Sequence, residues 1–180
     1  LDPYQVQDES LSAQAHEAIS KIGHSLRFGD NSSIEEIQNH IKDIDLLISQ
    51  RVASPYCIYY KAMCFELLYN RTEANECWEL IYKNHLGYNI YSLGAAYFFD
   101  RIKSYNKVEE STSAIMVACV REENKKALDV KYVWRALRLY YSSLLKQDKY
   151  LEILDYKNEI DEADIRLLVS AYQAVAHKRL

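Results

Sequence analysis

Four short stretches of this chain lie over one another, and their recurrence limits the fold more than any other feature. They are Lys61-Ala62-x-x-Phe65, Leu93-Gly94-x-x-Tyr97, Leu137-Arg138-x-x-Tyr141 and Leu168-Val169-x-x-Tyr172, each closed by an aromatic ring one helical turn on. The first three are followed by a second helical segment. A sequence that repeats helix pairs predicts a stacked solenoid, in which each pair buries its apolar face against the next. Such solenoids bind other proteins more often than they perform chemistry.

The composition agrees with helices. With 180 residues, 49% hydrophobic and 27% charged, the chain is long and apolar enough to bury a core. Only 4 Gly and 2 Pro are present, too few for the many turns of an all-β fold, whereas long helices joined by short loops need few. The net charge of −4, with Lys and Arg scattered, gives no electrostatic footprint for nucleic acid. The longest apolar stretch, Leu93 to Phe99, is too short to cross a bilayer. Cys57, Cys64, Cys77 and Cys119 lack C-x-x-C spacing and read as buried, reduced thiols. With no secretory signal in view, the expected location is intracellular, in cytoplasm or nucleus. The start at Leu1 without Met reads as a fragment or a trimmed chain, and the C-terminus reads as truncated.

Along the chain, residues 1–9 read as an extended lead-in and 10–180 as one helical-repeat domain of about nine helices. A first helix is expected from Ser10 to Phe28, broken by Gly29-Asp30-Asn31. Ser32 or Ser33 caps the second, where Glu35 and Glu36 suit the positive helix end. Ile34, Ile37, Ile41, Ile44 and Ile48 form one apolar stripe along it. After a link from Arg51 to Pro55, helices are expected over Tyr56–Tyr69, Glu73–Lys83 (after a tight turn at Asn70-Arg71-Thr72), Tyr88–Ser104 and Asn106–Arg121. A polar stretch at Glu122–Lys126 precedes the last three, Val130–Lys146, Tyr150–Ile160 and Ala163–Arg179.

Ala74 stands twelve residues after Ala62, and Trp78 follows one turn later. A small residue lets two helices cross closely, and the bulky ring fills the gap beside it. In this the pair Tyr56–Tyr82 resembles the tetratricopeptide repeat, and Tyr105 with Val108, and Tyr150 with Ile153, open the second helices of two further pairs. Phe28, Ile37 and Ile41 echo the pattern loosely in the N-terminal pair. The intervals between the four key positions, 32, 44 and 31 residues, depart from the family period of about 34, so the repeats are degenerate.

The resemblance implies an all-α, α-α superhelix of antiparallel helix pairs whose first helices line a concave groove. Carried over position by position, the wall contains Tyr56, Tyr59, Met63, Tyr88, Tyr91 and Tyr132, with Arg135 and Arg166 toward one end. Tyrosine anchors interfaces well, because it combines a large apolar ring, a polar tip and few rotors. The expected role is a scaffold or adaptor that holds a partner's peptide or helix, as a subunit of a larger eukaryotic assembly, with the arginines pairing acidic groups. The Lys and Asn carboxylate clamp of the family's chaperone-binding members is replaced here by Tyr, Met and Ala.

No chemistry emerges from the remaining residues. His16, His24, His40, His85 and His177 are dispersed, and no phosphate-binding, H-E-x-x-H or G-x-S-x-G motif occurs. The expectation is no enzyme activity, no cofactor, no metal, no membrane and no nucleic acid. Two alternatives stand beside the scaffold. One is homodimerisation through the terminal helix, whose Ile165, Leu168, Val169, Tyr172, Val175 and Ala176 lack a polar cover. The other is a helical-repeat RNA-binding module, disfavoured by the acidic balance.

Overall fold

A computed structural model describes residues 12–27, 33–50, 55–87, 90–120, 130–156 and 162–180. Every regular element among them is an α-helix, so the all-α expectation holds. Neighbouring helices pack on one another within two compact units, Leu1–His85 and Leu86–Leu180. The expected lead-in, the break at Gly29–Asn31, Phe28, the link at 51–54 and the stretch at 121–129 lie outside the described residues.

The first unit contains α1 (Ala13–Arg27), α2 (Ile34–Ser49), α3 (Pro55–Leu67) and α4 (Arg71–Asn84). The start of α2 is fixed by a reciprocal cap. Ser33 Oγ accepts from the Glu36 amide at 3.2 Å, and Glu36 accepts from the Ser33 amide at 2.9 Å. Of the isoleucine stripe, Ile37 and Ile44 are buried, whereas Ile34 and Ile48 are exposed. The two ends of α2 overhang the neighbours that cover its middle. At the centre lies α3, against which α1, α2 and α4 all pack. Its buried residues, Cys57, Tyr59, Tyr60, Ala62 and Cys64, lie on several faces, as expected of a helix covered on most sides. Ala62 and Ala74 are both buried in the α3–α4 hairpin, and Trp78, 1% exposed, fills the space beside them. Trp78 Nε1 donates to Glu66 Oε1 at 2.6 Å, satisfying its one polar group.

The second unit contains α5 (Ile90–Arg101), α6 (Tyr105–Val120), α7 (Val130–Lys146), α8 (Tyr150–Asp155) and α9 (Ala163–Arg179). α5, α6 and α7 pack mutually, and α7, α8 and α9 do the same. α7 therefore belongs to both layers, with Val133, Ala136, Leu137, Tyr141 and Leu144 fully buried. One ion pair braces the first layer, and a second ties α6 to the start of α8. Lys146 reaches Asp100 of α5 at 2.6 Å, and Lys149 reaches both carboxylate oxygens of Glu109 on α6, at 3.0 and 2.9 Å.

Three hairpins, α3–α4, α5–α6 and α7–α8, share one turn. The second residue past the first helix is left-handed in each: Tyr69 (φ 57°), Lys103 (φ 62°) and Asp148 (φ 57°). The following amide bonds five residues back, Asn70 to Phe65 at 2.8 Å, Ser104 to Phe99 at 2.9 Å and Lys149 to Leu144 at 3.0 Å. This is the Schellman closure. Arg71 and Thr72, expected in the turn, are already helical, and the turn falls on Leu68–Asn70.

Aligning the hairpins on this shared closure corrects the repeat register. Phe65, Phe99 and Leu144 become equivalent, the first two 34 residues apart and the next two 45 apart. The true counterpart of Lys61-Ala62-x-x-Phe65 is Ala95-Ala96-x-x-Phe99, not Leu93-Gly94-x-x-Tyr97, whose tyrosine is 41% exposed. In α7 it is Tyr140-Tyr141-x-x-Leu144, because Arg138 of the expected stretch is exposed. In the second helices Ala74, Val108 and Ile153 fall into equivalent, buried places.

Candidate functional site

The residues expected to line a groove have different fates. In the first unit, Tyr59 is buried, its ring edge-on to Tyr60 at 5.1 Å and to Trp78 at 5.7 Å. It is part of the α3–α4 packing and leaves little surface for a ligand. Tyr56, stacked on Tyr60 at 6.5 Å, and Met63 are half-buried. In the second unit, Tyr132 is buried at 4% exposure, Tyr91 is half-buried, and Arg135 and Arg166 are exposed. Tyr88 lies outside the described residues. The two-residue shift of register in α5 puts Ile90 and Leu93 where Tyr88 and Tyr91 were expected and brings in Tyr97. The three-residue shift in α7 replaces Tyr132 by Arg135, itself among the expected wall residues, and brings in Arg138 and Ser142. Of these, Tyr97, Arg135 and Arg138 are exposed.

Many tyrosines serve the core instead. Tyr140, Tyr141, Tyr156 and Tyr172 form a cluster between α7, α8 and α9, with Tyr141 stacked on Tyr172 at 4.9 Å and edge-on to Tyr156 at 5.5 Å. Burial pushes the Tyr141 phenol far above its ordinary range, and its hydroxyl has no hydrogen-bond partner among the described residues. The thiols behave likewise: burial pushes Cys64 up to about 12 and Cys77 to about 11, so neither is a nucleophile near neutrality. All four cysteines are buried, and none is in a disulfide. Among the described residues no group of three or more His, Cys, Asp or Glu could hold a metal ion, and no helix is long and apolar enough to cross a membrane.

A concave surface that sequence reasoning missed lies between α1 and α2. It is a cleft of about 530 Å³, with Ala18, Ile22, Leu46 and Leu47 as its apolar lining and Gln14, Glu17, Lys21, His40 and Asp43 around it. Leu46 is 57% exposed there, while Ile22 is 3% exposed and forms the floor. Glu17 and Lys21 pair along α1 at 2.7 Å, and this lowers the Glu17 carboxyl below its usual range. His40 of α2 is hydrogen-bonded to Ser25 of α1 at 2.9 Å and holds the two helices together at one end. Volume and an apolar lining ringed by polar side chains fit a recognition groove for a few side chains. One signal for it was present in the sequence: Leu46 interrupts the polar face opposite the isoleucine stripe.

The chain matches no protein-family model, no curated protein and no solved structure in the comparisons made.

Proposed function

We propose that this chain is a non-catalytic protein-interaction scaffold of tetratricopeptide-like helix pairs. In this reading it serves in an intracellular assembly and docks an amphipathic helix of a partner protein in the α1–α2 cleft. The observation that carries the reading is the cleft itself, an open surface whose apolar lining continues onto the exposed Leu46. A partner helix would lay two or three apolar side chains against Ala18, Ile22, Leu46 and Leu47, the usual helix-in-groove arrangement. Asp43 at the rim offers its carboxylate to a basic side chain of that helix. The cleft is favoured over the tyrosine set because Tyr59 and Tyr132 keep only 8% and 4% of their surface exposed. RNA is the weaker occupant, given the net charge of −4.

Site-specific photo-cross-linking tests this. A photoreactive side chain at Leu46 should trap a discrete partner in extracts of cells that make the protein. One at the equally exposed Val117, on α6, should not (both residues are 57% exposed). Replacing Ala18 by Asp, which puts a charge into the apolar lining, should abolish the Leu46 adduct while the helical circular dichroism stays unchanged. An adduct that forms equally from both positions, or survives the Ala18 change, removes the cleft as the docking site.

A further inference from the structure

The terminal helix is apolar on two sides and buries only one of them. Ile165, Val169 and Ala176 are buried, Tyr172 stacks on Tyr141, and the Gln173 amide reaches the carbonyls of Ile153, Leu154 and Tyr156 at 3.4 to 3.5 Å. Ile165, Val169, Tyr172 and Ala176, expected to form an uncovered surface, are therefore spent on α7 and α8. The opposite face is nonetheless apolar. Leu167 is 72% exposed and Val175 44%, with Ala171 and Ala174 exposed and Leu168 half-exposed beside them. Asp164 and Lys178, both exposed, stand at its two ends. At about 100° per residue these seven positions share a stripe about 120° wide.

The stripe has a two-fold pattern centred on Ala171. Asp164 and Lys178 lie equally far from it on either side, as do Leu167 and Val175, and Leu168 and Ala174. We infer that α9 pairs with α9 of a second copy of this chain, antiparallel, about a two-fold axis at Ala171. Such an isologous contact brings each residue against its mirror position. Leu167 of one copy meets Val175 of the other, and Leu168 meets Ala174. Asp164 meets Lys178, twice, once at each end. Ala171 meets itself, and its small side chain lets the helix axes approach to about 8 Å, the short end of the usual range. The acidic start of one helix, Glu162 and Asp164, also lies beside the basic end of the other, His177, Lys178 and Arg179, and the two helix dipoles oppose. The opposite charges at the two ends of the stripe, Asp164 and Lys178, meet when the helix pairs with its own copy antiparallel, and that charge complementarity selects a second copy as the occupant.

Charge exchange provides the test, read by sedimentation equilibrium or light scattering across a concentration series. The unaltered chain should show a concentration-dependent dimer. Asp164→Lys sets two ammonium groups against each other at both ends of the contact, and Lys178→Asp sets two carboxylates against each other. Each single variant should weaken dimerisation about tenfold or more. The double variant Asp164→Lys/Lys178→Asp restores opposite charges and should recover the dimer. An equimolar mixture of the two single variants should form heterodimers tighter than either alone. Ala171→Cys should oxidise to a disulfide-linked dimer much faster than Asn106→Cys, at an exposed position on α6. All altered residues are on the surface, so folding is preserved and is checked by circular dichroism. A monomer at every concentration overturns the inference. So does a dimer whose affinity ignores both single charge changes, or an Ala171→Cys variant that cross-links no faster than Asn106→Cys.

Discussion

Replacing Gly23 by Ala should destabilise the first unit, although Ala is the better helix former. A Cβ built on Gly23 meets Tyr60 Oη at 2.6 Å, Cζ at 2.8 Å and Cε1 at 3.2 Å. Carbon contacts are optimal at about 3.5–4.0 Å, so the new methyl overlaps the ring by about 1 Å. Tyr60 is fully buried, with Tyr56 stacked on one side at 6.5 Å and Tyr59 edge-on at 5.1 Å, and it has nowhere to swing. Overpacking of this kind costs about 1–3 kcal/mol. Exchanging Gly for Ala within a helix returns about 1 kcal/mol. The net loss is therefore up to about 2 kcal/mol in the otherwise unaltered chain. In a Tyr60→Ala background the obstacle is gone and only the helix-propensity gain remains. There Gly23→Ala should stabilise by about 1 kcal/mol, a reversal of sign and a coupling of about 1–3 kcal/mol. Urea unfolding followed by Trp78 fluorescence, with Trp134 replaced by Phe so that only the first unit reports, measures both values. A Gly23→Ala change that stabilises both backgrounds alike would falsify the close packing of α1 on α3.

Three further outcomes follow from the geometry. Lys103→Gly should raise stability by about 0.5–1 kcal/mol in thermal unfolding, because an exposed lysine now occupies a left-handed position that glycine takes without strain. The four thiols should be silent toward a disulfide reagent at pH 8 in the native protein and all titrate in guanidinium chloride; rapid native reaction of Cys64 or Cys77 contradicts their burial. The Glu109 carboxylate, hydrogen-bonded to Lys149, holds that ammonium above its ordinary range. A group whose folded pKa is raised stabilises fully below its unfolded value, about 10.4, and loses that contribution as pH climbs through the folded value. Lys149→Gln should thus cost about 1 kcal/mol at pH 8, and the gap from the unaltered chain should close as pH climbs through the raised folded value.

Much of the helical layout was legible in the sequence. The bounds of α7 and α9, the Ser33 cap and the buried places of Ala74, Trp78, Val108 and Ile153 all follow from spacing and side-chain chemistry. The register of the first helices was less visible. α5 is apolar on nearly every side, with Leu93 buried as well as Ala95, Ala96 and Phe99, so its composition accepts more than one alignment. The turns that resolve the ambiguity are closed by Tyr69, Lys103 and Asp148, where no glycine announces a left-handed residue. Sequence could count the tyrosines, but not divide them between surface and core.

The chain alone determined that it forms helices and where most of them begin and end, because capping, helix propensity and the 3.6-residue apolar period are local properties. Tertiary structure decided which face each helix spends. Tyr59 went to Trp78, α9 turned Ile165 and Val169 inward and left Leu167 and Val175 outside, and α1 with α2 opened a cleft at Leu46. A helix apolar on two sides has no local reason to bury one rather than the other; only the shape of its neighbours breaks the tie.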